Sequence, residues 1–290
     1  MHGRNNTGET ITGDRVRQHY EIEKILANRL RQADKRERRK LYSSVYEELF
    51  KQVPFHPMLV RKADPQATRT AVDPQMCLLR RFLSPAATFL EVGPGDCSLA
   101  FAVAQYVGKV YAIDVSREIT ARLNTPRNFE LVLSDGCSIP VPSNSVDVAY
   151  SNQVIEHLHP DDAVDHLRMI YNALVPNGIY ICITPNRLSG PHDVSGQFDT
   201  VPTGLHLKEY TNRELSELFQ SVGYFRIRTI PALKGRFASL PPWTVSPWEG
   251  ALEKLPFPIR RKMAAALPFR ALLGVRMSGR KPAQEGMSSQ

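Results

Sequence analysis

The chain has few cysteines and no long apolar run. Its four cysteines are widely spaced, and none of them forms a CxxC pair. That spacing argues against a disulfide framework and a cysteine-rich zinc site, and it is typical of a reducing compartment. The polar residues Met1 to Asp14 lack the apolar stretch of a signal peptide, and no segment elsewhere has the length needed to cross a bilayer. We therefore expect a cytoplasmic protein.

Acidic residues are scarce after position 225, and basic residues outnumber acidic ones at both ends of the sequence. The net charge is +8, and the excess of Lys and Arg falls in residues 1–75 and 226–290, whereas residues 76–225 carry an excess of Asp and Glu. Basic proteins often bind nucleic acid, but the acidic middle and the lack of a clear RNA-binding module disfavour that class. A solvated basic surface is the simplest interpretation, and contact with an anionic membrane or a phosphate-bearing substrate is the alternative.

Short apolar segments alternate with helical ones from about Gln75 onward. Helical patterns cover residues 76–83, 96–104, 161–174 and 211–223. Seven strand-like runs cover residues 88–92, 110–113, 129–133, 146–150, 179–183, 224–230 and 272–278. Strands separated by helices of this length predict an α/β fold with a mostly parallel sheet covered on both faces.

The N-terminal part of the chain and its last residues lie outside this alternation. We assign residues 1–75 to a flexible leader and a basic helical extension, residues 76–282 to the main domain, and residues 283–290 to a disordered tail. The basic run Lys35 to Lys40 is expected to be a solvated helical face. Prolines predict an irregular linker between the extension and the main domain, at positions 54, 57, 65 and 74.

A proline-rich insert precedes the last predicted strand, over residues 233–269. It contains Trp243, Trp248, Phe257 and Phe269 among its prolines. Such a segment suits a lid over an apolar or sugar-like ligand, with ordinary packing against the sheet as the alternative. Its basic and aromatic composition also suits contact with a membrane surface.

A glycine-containing turn joins the first predicted strand to a helix, in the sequence Glu91-Val92-Gly93-Pro94-Gly95. Glycine is needed where a side chain would collide with a closely approaching ligand. The pattern departs from the dinucleotide fingerprint GxGxxG, because the third glycine position is Ser98. By itself the turn indicates only a nucleotide-like ligand.

Polar residues follow the next three strands in order. Asp114 ends the second strand, Asp135 and Gly136 follow the third, and the segment Asn152 to His157 follows the fourth. A carboxylate at the first position suits a ribose, and a short polar side chain at the second suits an adenine amino group. Ligands of open α/β sheets bind beyond the carboxyl ends of the strands, so we expect these residues to share one site.

This ordered set resembles the class I methyltransferases, in particular the subgroup that methylates small molecules, quinones and glycans. The resemblance covers about residues 76–232, with residues 272–282 supplying the closing strand. It implies a Rossmann-like, doubly wound, mostly parallel seven-stranded sheet and the cofactor S-adenosylmethionine. It also implies the following cofactor-binding residues: Glu91, Gly93, Gly95, Asp114, Val115, Asp135, Gly136, Asn152 and Gln153.

Structural roles remain open for three of these acidic residues. Glu91 could instead brace the glycine turn. Asp114 could instead be a carboxylate that stabilises a helix N-terminus. Asp135 precedes a glycine, a common turn pattern.

Two histidines are candidate catalytic bases, His157 and His206. Methyl transfer to oxygen requires removal of a proton, for which histidine is suited near neutral pH. Each histidine has a purely structural alternative, as a helix-start residue and as a loop-packing residue respectively. Some relatives hold a divalent cation with a Glu-x-x-Glu-His pattern, but the first position here is Gln153, so we predict no metal.

The predicted function is S-adenosylmethionine-dependent O-methylation of a small molecule or of a glycan or lipid intermediate. Methylation of nitrogen or carbon in a small metabolite is one alternative, and a non-catalytic scaffold that binds the cofactor is the other. The predicted partners are the acceptor and, at the insert, a membrane surface; the sequence carries no signal for an oligomeric state.

Overall fold

A computed structural model describes residues 13–56, 65–115 and 125–283 of the chain, apart from the side chains of residues 65–69 and 71. Nine strands are assigned in these ranges: β1 Thr88–Val92, β2 Lys109–Asp114, β3 Phe129–Leu133, β4 Val146–Asn152, β5 Leu174–Thr184, β6 Phe225–Thr229, β7 Ala232–Leu233, β8 Arg236–Phe237 and β9 Val275–Arg280. Seven of them form one sheet in the order β3-β2-β1-β4-β5-β9-β6, while β7 and β8 pair separately. The first five strands of this order are parallel, and β9 is antiparallel to both β5 and β6. The predicted sheet is confirmed.

The helices assigned in the same ranges are α1 Gly13–Gln32, α2 Lys35–Gln52, α3 Pro65–Leu79, α4 Ser98–Ala104, α5 Pro160–Ala173, α6 Asn212–Val222, α7 Ser246–Glu253, α8 Phe257–Ala265 and α9 Phe269–Leu273. The predicted capping box of α6 is present, because Thr211 accepts from the Glu214 N–H and Glu214 accepts from the Thr211 N–H. A second capping box, formed by Asp34 and Glu37, begins α2 and separates it from α1.

The sheet has a hydrophobic core on each face. One core is built on α1, α2, α5 and α6, with residues such as Leu30, Leu49 and Phe219. The other is built on α3 and α4, with residues such as Leu79 and Val103. Helices α1 and α2, which the sequence suggested were an extension, therefore contribute to the main core.

An ion pair links α2 to α5. Arg38 donates from Nε and Nη2 to the two carboxylate oxygens of Asp162, at 2.6 and 3.0 Å, and Tyr42 donates its hydroxyl to the same carboxylate at 2.8 Å. The prediction that the whole run Lys35 to Lys40 is solvated is therefore wrong at Arg38, which is buried. An interior carboxylate supplies the partner without which the buried guanidinium would carry an uncompensated charge.

Three other predictions differ from the structure at prolines. Helix α3 runs through Pro74, where a linker was expected; the buried Leu78 and Leu79 anchor the turn that follows it. The proline-rich insert contains a short hairpin and two helices, since prolines occupy the first turns of α7 and α8, where no N–H is needed. The last strand begins at Val275 rather than Leu272, because residues 269–273 are helical.

The ends predicted to be flexible fall mostly outside the described residues, at 1–12 and 284–290. Among the described helices, none combines the length and the apolar character required to traverse a bilayer.

Candidate functional site

A cavity of about 190 Å³ opens at the carboxyl ends of β1 to β4. Its walls come from the segments that follow these strands and from helices α2 and α5. Seven of the predicted cofactor-binding or catalytic positions line it: Gly93, Gly95, Asp114, Val115, Gly136, Gln153 and His157. The expectation that residues from successive strand ends share one site therefore matches the lining of this cavity.

The glycine turn after β1 has a backbone that side chains disfavour. Gly93 and Gly95 have φ values of +67° and +58°, in the left-handed region that glycine adopts without steric cost. A Cβ atom at Gly93 would lie 2.6 Å from a methyl group of Val154, whereas one at Gly95 would meet open space. The turn thus packs tightly on one side and leaves room for a ligand on the other.

Asp114 and the loop after β3 form the next part of the wall. The Asp114 carboxylate accepts a hydrogen bond from the Val115 N–H at 2.7 Å, and its carbonyl accepts from the Ser134 N–H at 2.9 Å. Gly136 has φ +86°, and a Cβ atom there would lie 2.8 Å from Cβ of Tyr42. Helix α2 therefore lies directly against this loop.

Three predicted cofactor-binding residues are absent from the lining of this cavity. Glu91 is buried in β1, where burial and the nearby charge of Asp96 raise its pKa to about 8. Asp135 accepts hydrogen bonds from the Cys137 and Ser138 N–H groups of its own loop. This is the structural role in a turn that was the alternative to cofactor binding. Asn152 is the last residue of β4. For these three, cofactor contact stays a prediction.

Helix α2 supplies a wall that the sequence analysis missed. Tyr42, Tyr46 and Phe50 line the cavity at intervals of four residues, so they share one face of the helix. This aromatic repeat was readable in the sequence, but nothing local connected it to the distant glycine turn. The insert 233–269, expected as a lid, contributes no described residue to this lining.

His157 is the predicted catalytic residue that lines the cavity. Its Nδ1 bonds the carbonyl of Leu205 at 3.0 Å, so Nδ1 carries the hydrogen and Nε2 holds the free lone pair. Burial and the neighbouring His206 lower the pKa of His157 to about 3. The ring is therefore neutral at physiological pH, and the same burial makes it a weak base.

His206 lies behind His157, outside the lining of the cavity. The two rings are edge to face with centroids 4.9 Å apart. His206 Nδ1 bonds Glu209 Oε1 at 2.7 Å, and although burial opposes it, this bond raises the pKa of His206. Burial alone would raise the pKa of Glu209, but hydrogen bonds from His192 and His206 lower it to about 2. Glu209 is thus an ionised carboxylate that orients the rings of His192 and His206.

Helix α1 holds the loop that carries His206. The Arg31 guanidinium donates to the carbonyls of Pro202, Thr203, Gly204 and His206. Glu23 accepts from the Leu205 N–H at 3.3 Å and bonds His19 Nε2 at 2.7 Å. The N-terminal helices therefore shape the side of the site that lies beyond the glycine turn.

Two groups of described residues have donor atoms close enough to hold a metal ion: Glu156 with His157 and His206, and Glu23 with His19 and His56. In the first group, Glu156 Oε2 accepts from Thr184 at 2.9 Å, while Oε1 is buried without a described partner. Burial raises the pKa of Glu156 to about 7. The prediction that no metal is bound remains untested by this geometry.

Comparison with known proteins matches the strand-end part of this site to a known domain. Residues 90–182 match a family model described as a methyltransferase domain. A probable S-adenosylmethionine-dependent methyltransferase of Mycolicibacterium smegmatis is 31% identical over 137 residues, which are 47% of this chain and 51% of the relative. One of Mycobacterium tuberculosis is 31% identical over 147 residues, covering 49% and 51%. The chain thus spans about half the length of the curated relatives it matches.

A solved structure shares the fold. A chain from the complex of the Haloferax volcanii Trm112 methyltransferase activator with a methyltransferase superposes with a TM-score of 0.52 at 16% identity, over 78% of this chain and 98% of that one. This similarity concerns the fold alone. The sheet and the cavity at its strand ends agree with the sequence matches, which show that residues 90–182 are similar to a methyltransferase domain.

Proposed function

We propose that this protein transfers a methyl group from S-adenosylmethionine to an oxygen atom of a small molecule or of a glycan or lipid intermediate. One observation carries the proposal: the same cavity is lined by the glycine turn and Asp114 and by a buried, neutral histidine, His157. The first two suit a nucleoside cofactor, and the third places at the cavity a side chain of the type that takes a proton from an oxygen acceptor.

The residues at the strand ends fit the cofactor. The open space at Gly95 admits a ligand against the backbone, and Asp114 stands at the end of β2, where a carboxylate suits ribose hydroxyls. When bound, S-adenosylmethionine supplies an electrophilic methyl group on a sulfonium. The cavity wall contributed by Tyr42, Tyr46 and Phe50 limits water around this position, which favours an in-line displacement.

His157 is the proposed proton acceptor. Its Nδ1 is committed to the Leu205 carbonyl, so Nε2 is the atom that receives the proton from an acceptor hydroxyl. His206 and Glu209 are positioning residues. The Glu209 carboxylate holds the His206 ring, and that ring packs edge to face against His157. Methylation of nitrogen or carbon would demand less of these histidines, and a scaffold would demand nothing of them.

Separate His157→Ala and His206→Ala variants test the assignment. Formation of S-adenosylhomocysteine is followed against phenolic, quinol and sugar acceptors, and cofactor binding is measured by calorimetry. We expect His157→Ala to lower kcat by about 10²–10⁴-fold with cofactor affinity retained, and His206→Ala to lower it less. Unimpaired turnover in both variants would remove the base, and no binding at high micromolar cofactor would remove the methyltransferase itself.

Treatment with a chelator distinguishes a general base from a bound metal ion at the same histidines. Glu156, His157 and His206 can present three donor atoms to a divalent ion, so the assay is repeated after EDTA treatment. The proposed mechanism expects unchanged turnover. Loss of turnover that added divalent metal restores would replace the general base with a metal-held acceptor.

A further inference from the structure

Exposed apolar side chains are concentrated in the insert. Of the large hydrophobic residues that are exposed in the described chain, six fall between positions 233 and 267: Leu233, Trp243, Trp248, Ile259, Met263 and Leu267. Trp243 is 73% exposed and Leu267 is 59% exposed. Exposed apolar residues that gather in one segment point to an interaction surface, whereas single ones scattered over an exterior need no explanation.

The insert is anchored, so this exposure is not the result of a loose segment. Val245, Leu252 and Ala264 form a small core with Leu188 and Leu273. On α8, Ile259 and Met263 are four residues apart and exposed, whereas Ala264 is buried. The helix therefore packs one side against the protein and presents an apolar strip on another.

The acidic side chains of the insert face the protein, and several of its basic side chains face outward. Residues 233–270 contain seven Lys or Arg and only two acidic residues, Glu249 and Glu253. Glu249 is buried and accepts from the backbone N–H groups of Asn212 and Arg213. Glu253 pairs with the side chains of Arg187 and Arg213. Both carboxylates are thus engaged by neighbouring elements of the protein.

The outward charge of the insert is consequently positive. Lys254, Lys262 and Arg270 are exposed, and Lys262 adjoins Met263 in the sequence. Cationic side chains beside exposed tryptophan and aliphatic residues are the composition of segments that lie in the interface of an anionic bilayer. An acidic protein partner would satisfy the charge, but it would not require two exposed indole rings.

We propose that residues 233–270 bind the surface of an anionic membrane, with Trp243, Trp248 and the strip of Ile259 and Met263 entering the interface and the basic residues contacting lipid phosphates. Binding of this type is peripheral, in keeping with the absence of a described helix able to traverse a bilayer. No described residue of this segment lines the cofactor cavity, so the inference stands apart from methyl transfer and is measured without it.

The two tryptophans make the experiment direct. They are the only ones in the chain, so intrinsic tryptophan fluorescence reports on this segment alone. We expect a blue shift and co-sedimentation with vesicles of phosphatidylglycerol and phosphatidylcholine, much weaker binding to phosphatidylcholine alone, and weakening by salt. Equal binding to neutral vesicles, or no shift with either, would overturn the proposal.

Variants assign the binding to the exposed residues. We expect Ile259→Asp/Met263→Asp and Lys262→Glu/Arg270→Glu each to weaken vesicle binding at least tenfold, with unchanged circular dichroism, because these side chains are exposed or lie at the surface. Ile25→Asp is the matched control, since Ile25 is 61% exposed but lies on α1; it should bind as the wild type does. Binding unaffected in both insert variants would overturn the proposal, as would a concentration-dependent dimer that shows the same shift without vesicles.

Discussion

Arg38 shows how a single residue departs from its sequence context. It stands within a run of basic residues, yet its guanidinium is buried and makes two hydrogen bonds to Asp162. The partner is 124 positions away, so no local pattern predicts the pair. The neighbouring Lys35, by contrast, is exposed, as the run predicted, and it pairs with Asp165 at the surface.

Removal of Arg38 should therefore be costly. We expect Arg38→Ala to lower the free energy of unfolding by about 3–5 kcal/mol, because it leaves the Asp162 carboxylate buried without its charged partner. Urea denaturation followed by circular dichroism measures the loss. Lys35→Ala is the matched control and should cost no more than about 1 kcal/mol. Equal losses in the two variants would contradict the assignment.

His166 gives a pH dependence at the same scale. The ring is buried against the cavity, and burial lowers its pKa from 6.5 to about 4. The unfolded chain takes up a proton at a higher pH than the folded one, so this residue makes stability fall as the pH drops from about 6.5 towards 4. We expect His166→Leu to flatten that part of the urea-midpoint profile. Identical slopes in the variant and the wild type would refute the shift.

Helix α2 is the element that sequence reasoning placed least well. Its helical character was predicted from composition, but its position over the cavity depends on Asp162 and Gly136, which belong to other parts of the chain. Strands β1 to β4 were predicted within two residues, since each is a short and mostly apolar run, whereas β5 begins at Leu174, five residues before its predicted start. The helices of the insert were missed because prolines at their first turns resemble breaks.

The aromatic face of α2 should act on the acceptor more than on the cofactor. Tyr46 lies edge to face with His157, with ring centroids 5.9 Å apart. We expect Tyr46→Ala to raise the KM for the acceptor at least tenfold, about 1.4 kcal/mol, with a smaller change in cofactor Kd by calorimetry. Tyr106→Ala, on the opposite side of the sheet, should change neither. A loss confined to cofactor affinity would contradict the placement.

For the whole molecule, the seven-stranded sheet is confirmed, and residues 90–182 match a methyltransferase domain, as the resemblance implied. They were predictable because the glycine turn, Asp114 and the segment after β4 follow one another in chain order at strand ends. The wall formed by α2 and the anchoring of the insert were not, since both depend on contacts between segments far apart in the sequence. The acceptor atom could not be predicted either, because the side chains around the acceptor come together only in the folded chain.

Helix α2 has a consequence for comparison with other proteins as well as for chemistry. It lies outside residues 90–182, where the family model matches, yet it forms one wall of the cavity. Under the proposed function, the matched stretch would hold the methyl donor, whereas the recipient would also meet α2, which the family model does not cover. Similarity confined to residues 90–182 therefore predicts a shared donor and leaves the recipient undetermined.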